Sequence, residues 1–239
     1  MYFNFMNLPA GPWLPAILLA FLLLLPSSSF AGMSTEEVKA FEGYKAKAEK
    51  GDPVAQYNLG FCYDKGKGVA VDIVEAVKWF HKAAEQGLAQ AQFNLGVCYA
   101  KGEGVRKDEA VAVKWYRKAQ EQGHAKAQFN LGVCCFEGRG VPKDLVEAVK
   151  WYLKAGEHGD PDALGNLGYC YANGVGVAED RVEGYAYLSL AESSNQITRN
   201  NLAILERVLS QEQRQLGKQR SRELQKEIEA KIAAKNASK

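Results

Sequence analysis

Apolar positions along this chain recur at two scales. Within residues 52–195 they fall at helical spacing, and the whole pattern then repeats every 36 residues. In the first stretch Ala55, Leu59, Cys62 and Tyr63 stand at i, i+4, i+7 and i+8, which is one face of a helix. Farther on, Ala76, Trp79, Phe80, Ala83 and Ala84 make a second helical stripe. Leu59, Leu95, Leu131 and Leu167 are spaced by 36, each followed by glycine, and Trp79, Trp115, Trp151 and Tyr187 keep the same step. Four units follow without an insertion: 52–87, 88–123, 124–159 and 160–195.

Each unit predicts two helices. The first stops at a Gly-x-Gly turn (Gly66 and Gly68, Gly102 and Gly104, Gly138 and Gly140, Gly174 and Gly176), because glycine takes the left-handed backbone that ends helices. The second starts at Asp72, Asp108, Asp144 or Asp180, a good N-cap. Glu75, Glu147 and Glu183 three residues later predict a capping box. A lone helical hairpin cannot hide its apolar faces, so the hairpins must stack. Residues 32–51 supply a leading half-unit helix. Residues 196–239 read as capping helices, with Ser210 and Gln213 opening the last one and its end frayed.

The first 31 residues differ in kind. No charged side chain precedes Glu36, and Leu14 to Leu25 form a nearly unbroken apolar run. That run is shorter than the roughly 20 residues a bilayer span needs. With Pro26-Ser27-Ser28-Ser29 behind it and small residues at Ser29 and Ala31, it reads as an export signal cut after Ala31, although no basic residue precedes it. The expectation is a periplasmic or secreted chain with no membrane span once cleaved.

Composition narrows this picture. The 239 residues carry 30 Lys+Arg against 28 Asp+Glu, which excludes a generally basic nucleic-acid binder. From Glu192 onward ten basic and six acidic side chains leave a basic tail on a slightly acidic body. The glycine excess, 23 residues, is mostly the turn chemistry copied four times. No phosphate-binding loop is read into it, since no strand precedes the turn and a third glycine is absent.

The string Ala-Gln-Phe-Asn-Leu-Gly-Val-Cys-Tyr at 91–99, followed by Gly102, Gly104, Asp108, Trp115 and Lys118-Ala119, resembles the Sel1-like repeat family, relatives of the tetratricopeptide repeats. The resemblance covers about 52–195. It implies an all-α fold, a right-handed superhelix of helix-turn-helix repeats, whose members act as protein-interaction scaffolds.

The odd count of five cysteines is then four copies of one core position (Cys62, Cys98, Cys134, Cys170) plus Cys135. Packed helices lie about 8–10 Å apart, and a disulfide needs Cα atoms within about 7 Å, so neighbouring copies should not bridge. Related cysteine-rich members staple each hairpin with a pair of cysteines; here each second helix lacks its cysteine. Some of those members are associated with β-lactamase activity, but no Ser here has Lys three residues on, and Lys-Thr-Gly is absent. The residues imply no catalytic centre, metal or cofactor. His124 and His158 could approach each other but lack a repeated carboxylate partner.

Binding is expected on the other side of each first helix. Tyr57 and Phe61 stand opposite Leu59 on a helical wheel, with Phe93 and Val97, then Phe129 and Val133, as counterparts. One reading is packing between repeats. The other is an aromatic row along a concave groove, bordered by Asn58, Asn94, Asn130 and Asn166, whose amides suit a peptide backbone. The resulting expectation is an interaction scaffold for a protein or peptide. A β-lactamase-like hydrolase and a purely structural envelope scaffold are the alternatives.

Overall fold

The computed structural model describes residues 34–191 and 195–237, so the expected leader, residues 1–31, lies outside the described residues. Each 36-residue unit folds as the helical pair its pattern requires. The leading helix is α1 (Thr35–Ala48). The repeats follow as α2 (Pro53–Lys65) with α3 (Ile73–Glu85), and α4 (Ala89–Lys101) with α5 (Glu109–Glu121). The third and fourth are α6 (Ala125–Glu137) with α7 (Leu145–Gly156), and α8 (Pro161–Asn173) with α9 (Arg181–Leu190). Two further helices, α10 (Gln196–Val208) and α11 (Gln211–Ala237), close the stack as an α-solenoid.

The repeated leucines mark its centre. Leu59, Leu95, Leu131 and Leu167 are 0–2% exposed, with Ala55 and Cys62 or their counterparts beside them. The glycine after each leucine has a different use from the turn glycines. A Cβ on Gly96 would lie 2.5 Å from the Tyr116 ring, so its absence lets the second helix approach. The second turn glycine is also more than punctuation. Gly140 has φ +69°, and a Cβ there would collide with the Glu109 carbonyl of the preceding repeat. These turns are therefore contacts between repeats.

The second helices start where expected: Asp72, Asp108, Asp144 and Asp180 each accept from the backbone N–H three residues on, at 2.9 Å. The reciprocal half of the expected capping box is not made at Glu75, Glu147 or Glu183. Each capping Asp already donates its own N–H to a carbonyl of the first helix, as Asp72 does to Tyr63 at 2.9 Å. The freed glutamates pair elsewhere, Glu75 with Lys78 and Glu147 with Lys150. Full boxes form at Ser34–Glu37 and Ser210–Gln213.

The tail departs from its expected frayed end. It remains helical to Ala237 and lies against α9 and the ends of earlier repeats. Leu224 and Ile228 are buried beside Tyr187, and a Cβ on Gly217 would strike Tyr185. Arg220 donates to both oxygens of Glu183 at 3.0 and 3.3 Å. Near its end Lys231 reaches Glu157 at 2.6 Å and Lys235 donates to the Gly123 carbonyl at 3.3 Å. Among the described residues no helix is long and apolar enough to cross a membrane.

Candidate binding clefts between successive repeats

The aromatic and asparagine row is half-buried throughout its length. Each ring leans on a ring of its own unit's second helix: Tyr57 on Phe80 at 5.8 Å, Phe93 on Tyr116 at 6.0 Å, Phe129 on Tyr152 at 6.0 Å. Packing therefore takes one side of every ring. Beyond the first two rings lie two clefts, each walled by two successive first helices and floored by the second helix between them.

The first cleft, about 390 Å³, lies between α2 and α4 over α3. Tyr57, Phe61, Phe80, Phe93 and Val97 make its apolar lining, and Asn94 stands on its wall. The second, about 230 Å³, lies between α4 and α6 over α5, with Val97, Ala100, Tyr116 and Asn130. The two are the same site one repeat apart. Phe61, Asp64 and Lys65 of the first become Val97, Ala100 and Lys101 of the second, and Phe80, Asn94, Cys98 and Glu103 become Tyr116, Asn130, Cys134 and Arg139. A smaller relative of about 110 Å³ opens between α8, α9 and α10, at Tyr169, Leu188 and Ile204.

Not every residue of the row takes part. Tyr57, Phe93, Asn94 and Asn130 line the two larger clefts. Asn166 is hydrogen-bonded to the Tyr152 hydroxyl, and Phe129 packs with Val133 around Tyr152 in the core. Asn58 is half-buried on α2 without lining either cleft. Lys101, Glu109 and Arg139 line the second cleft and were not legible as site residues. The helical wheel stops at the helix, whereas Arg139 sits in the turn after α6 and reaches the cleft only through the fold.

The chemistry of the clefts is neutral. Lys65 pairs with Asp64 at 3.0 Å, Lys101 with Glu103 at 3.6 Å and Arg139 with Glu137 at 2.6 Å, so the mouths balance their own charge. Burial pushes the Tyr116 hydroxyl up to about 12, with the hydrogen bond to Asn130 acting against it. Cys98 and Cys134 border the clefts as buried free thiols, pushed up to about 11 by burial, and so remain protonated at neutral pH. Among the described residues no three His, Cys, Asp or Glu side chains converge as a metal site would require.

His124 and His158 serve separate ends. His124 caps α6, its Nδ1 accepting from the Ala127 N–H at 3.3 Å, and stacks on Phe93 at 4.7 Å. His158 ends the third unit near Lys235 of the last helix. Burial foremost, then the neighbouring Lys126 or Lys235, holds each below the usual histidine range.

Comparison with known proteins matches this geometry to a repeat family. The model of the Sel1 repeat matches residues 53–88, 89–124, 125–160 and 161–195. A Sel1 repeat protein from Oxalobacter formigenes is 42% identical over 71% of this chain and 72% of its own, with a TM-score of 0.62. A protective antigen of uropathogenic Escherichia coli displaying an SLR fold is 36% identical over 96% of this chain, with a TM-score of 0.75. The chain covers 49% of that antigen, about half its length. No curated protein matches.

Proposed function

The chain belongs to the Sel1 repeat family, and from that premise we propose that it is an exported, non-enzymatic interaction scaffold that holds a protein or peptide on its concave face. The observation that carries this reading is the recurrence of one cleft, in register, at successive repeats. A surface built only to pack has no need of a half-open cleft with an aromatic floor and a wall asparagine at two successive steps. Export rests on the apolar run from Leu14 to Leu25 and the small residues at Ser29 and Ala31.

Val97 lines both clefts, which makes it the position to test. The full chain and its Val97→Arg variant, matched for helical content and melting temperature, are immobilised and presented with the native envelope fraction. A partner retained by the first and lost by the second supports the reading. Equal retention by both removes the clefts from it. N-terminal sequencing of the mature protein tests export, with Gly32 expected as the first residue.

A further inference from the structure

We propose that the C-terminal end of the stack is a peripheral docking surface for anionic phospholipid, in which α10 inserts an apolar row and cations of α10 and α11 meet the headgroups. This surface lies apart from the clefts and does not depend on what they hold. The two ends of the stack are closed differently. An end of a stacked array needs a polar outer face to stay soluble. At the leading end α1 provides one: Phe41 is buried, Val38 and Tyr44 are half-buried, and the exposed positions hold Thr, Glu, Lys, Ala and Gly. At the trailing end α10 does the opposite. Ile197, Ile204 and Val208 stand 72%, 57% and 58% exposed. Their spacing of seven and four residues gathers them within an arc of about 40°. Thr198, Leu202 and Leu205 already supply the buried face of this helix, so the exposed row is surplus to its packing.

Charge selects the occupant. From the row toward α11, the surface of α10 turns through Arg207 to Ala203, Arg199 and Glu206. There a furrow of about 380 Å³ sets Arg199, Ala203 and Glu206 against Lys218 of α11, beside Tyr185 of α9. Arg214 reaches the same edge and donates to the Glu206 carbonyl. Arg207 and Lys218 are exposed and have no ion-pair partner among the described residues. Arg199 donates to the neutral amide of Gln196 at 2.9 and 3.3 Å. Against these cations the furrow holds Glu206, which accepts from the Tyr185 hydroxyl at 3.5 Å. A second copy docked face to face would bring the cations against their own kind. The α1 end offers a second copy neither an apolar row nor an excess of acid, since Glu36, Glu37 and Glu42 are matched by Lys39, Lys45 and Lys47. An anionic polymer would satisfy the cations and leave the row in water. An acidic protein helix needs a groove, and the depression beside the row, at Tyr169 and Ile204, holds about 110 Å³, against roughly 300 Å³ or more for even a small-ligand site. A bilayer needs no groove: it takes a free-standing apolar row at the acyl boundary and sets phosphates beside the cations. Tyr169, 41% exposed, adds the kind of ring that settles at headgroup level.

The test is co-sedimentation of the full chain with phosphatidylcholine vesicles that contain or lack phosphatidylglycerol. Every variant keeps the wild-type N-terminus, so residues 1–31 contribute equally throughout. Binding to the phosphatidylglycerol vesicles is expected to be at least about tenfold tighter, and to weaken as salt is raised. Each cation near an anionic surface contributes about fivefold, so Arg207→Gln with Lys218→Gln should lower binding to the anionic vesicles about twentyfold. Ile197→Ser with Ile204→Ser should lower it by at least about tenfold. All four side chains are exposed, so both double variants should melt as the wild type does. Equal binding to the two kinds of vesicle, or anionic binding that survives either double variant, overturns the proposal. An acidic amphipathic peptide that is held where the vesicles are not, and is lost in the same variants, assigns the surface to a protein partner and also overturns it. Neither variant touches Val97 or the clefts, so the concave-face reading stands or falls separately, by the capture experiment.

Discussion

Gln128 shows how a repeat records its own imperfections. Its counterparts are buried and bonded: Gln56 Oε1 accepts from Gln86 Nε2 at 2.7 Å, and Gln92 Oε1 accepts from Gln122 Nε2 at 2.9 Å. The third unit has His158 where the first two have Gln86 and Gln122, and Gln128 Oε1, in a residue 6% exposed, finds no partner among the described residues. Burying an acceptor unpaired costs about 1–3 kcal/mol. His158→Gln is therefore expected to stabilise the protein by about 1 kcal/mol, measured by urea unfolding; an unchanged midpoint would show that the seam does not extend to this unit. The same residue contributes to pH dependence. His124 and His158 are held below the unfolded histidine value, so the unfolded chain binds protons first and the penalty is absent above about pH 6.5. Stability is lost as pH falls through that value. Melting temperature should drop between pH 7.5 and 5.5, and less so in a His124→Asn, His158→Gln chain, where Asn keeps the cap. At the repeated Leu-Gly pair, Gly96→Ala should destabilise by about 1–3 kcal/mol despite alanine's better helix propensity, because its Cβ would stand 2.5 Å from Tyr116. Thermal melts check the sign.

Among the elements, α11 was the least legible, for an identifiable physical reason. Its apolar stripe is narrow and its charge is high, which reads as a solvated cap. The missing signal lay in the partner surface. Lys78, Lys114 and Lys150 become Ala186 in the fourth unit, and Lys82, Lys118 and Lys154 become Leu190. In the first three units the latter lysines lie over the tryptophan rings at 3.8–4.4 Å. With both lysines gone, Tyr187 is covered by the tail, and Glu183, without a lysine three residues on, pairs with Arg220. By contrast the paired helices, their Asp caps and their glycine stops were legible because each rests on local chemistry copied several times. If α11 belongs to the core, Leu224→Ala, at a site 5% exposed, should cost about 2–5 kcal/mol in a single cooperative transition. Two separate transitions in circular dichroism, the first confined to the tail, would return the helix to the status of a loose cap.

For the molecule as a whole, the strict period has a consequence that single substitutions cannot test. Stability in a stacked array is approximately a sum of repeat and nearest-neighbour terms, and every interface from α2 to α9 uses equivalent positions, down to turn glycines that meet the preceding repeat. Deleting residues 88–123 joins Gly87 to His124 in register, so Leu59 is followed by Leu131 as it was by Leu95. The shortened chain should fold cooperatively, with a smaller urea m-value in proportion to the surface no longer buried. Deleting half a period, 88–105, leaves α5 without its first helix and the chain should not fold. Clefts are shared between neighbours, so the 36-residue deletion also merges two into one: the walls become α2 and α6 over α3, with Asn130 beside Phe80 in place of Tyr116. A ligand that spans both clefts should then lose most of its affinity while a single-site ligand keeps its own. Retention of the captured partner by the full and shortened chains, each matched for cooperative unfolding, separates these cases. Retention unchanged by the deletion would mean that one cleft suffices and that its repetition serves the fold alone.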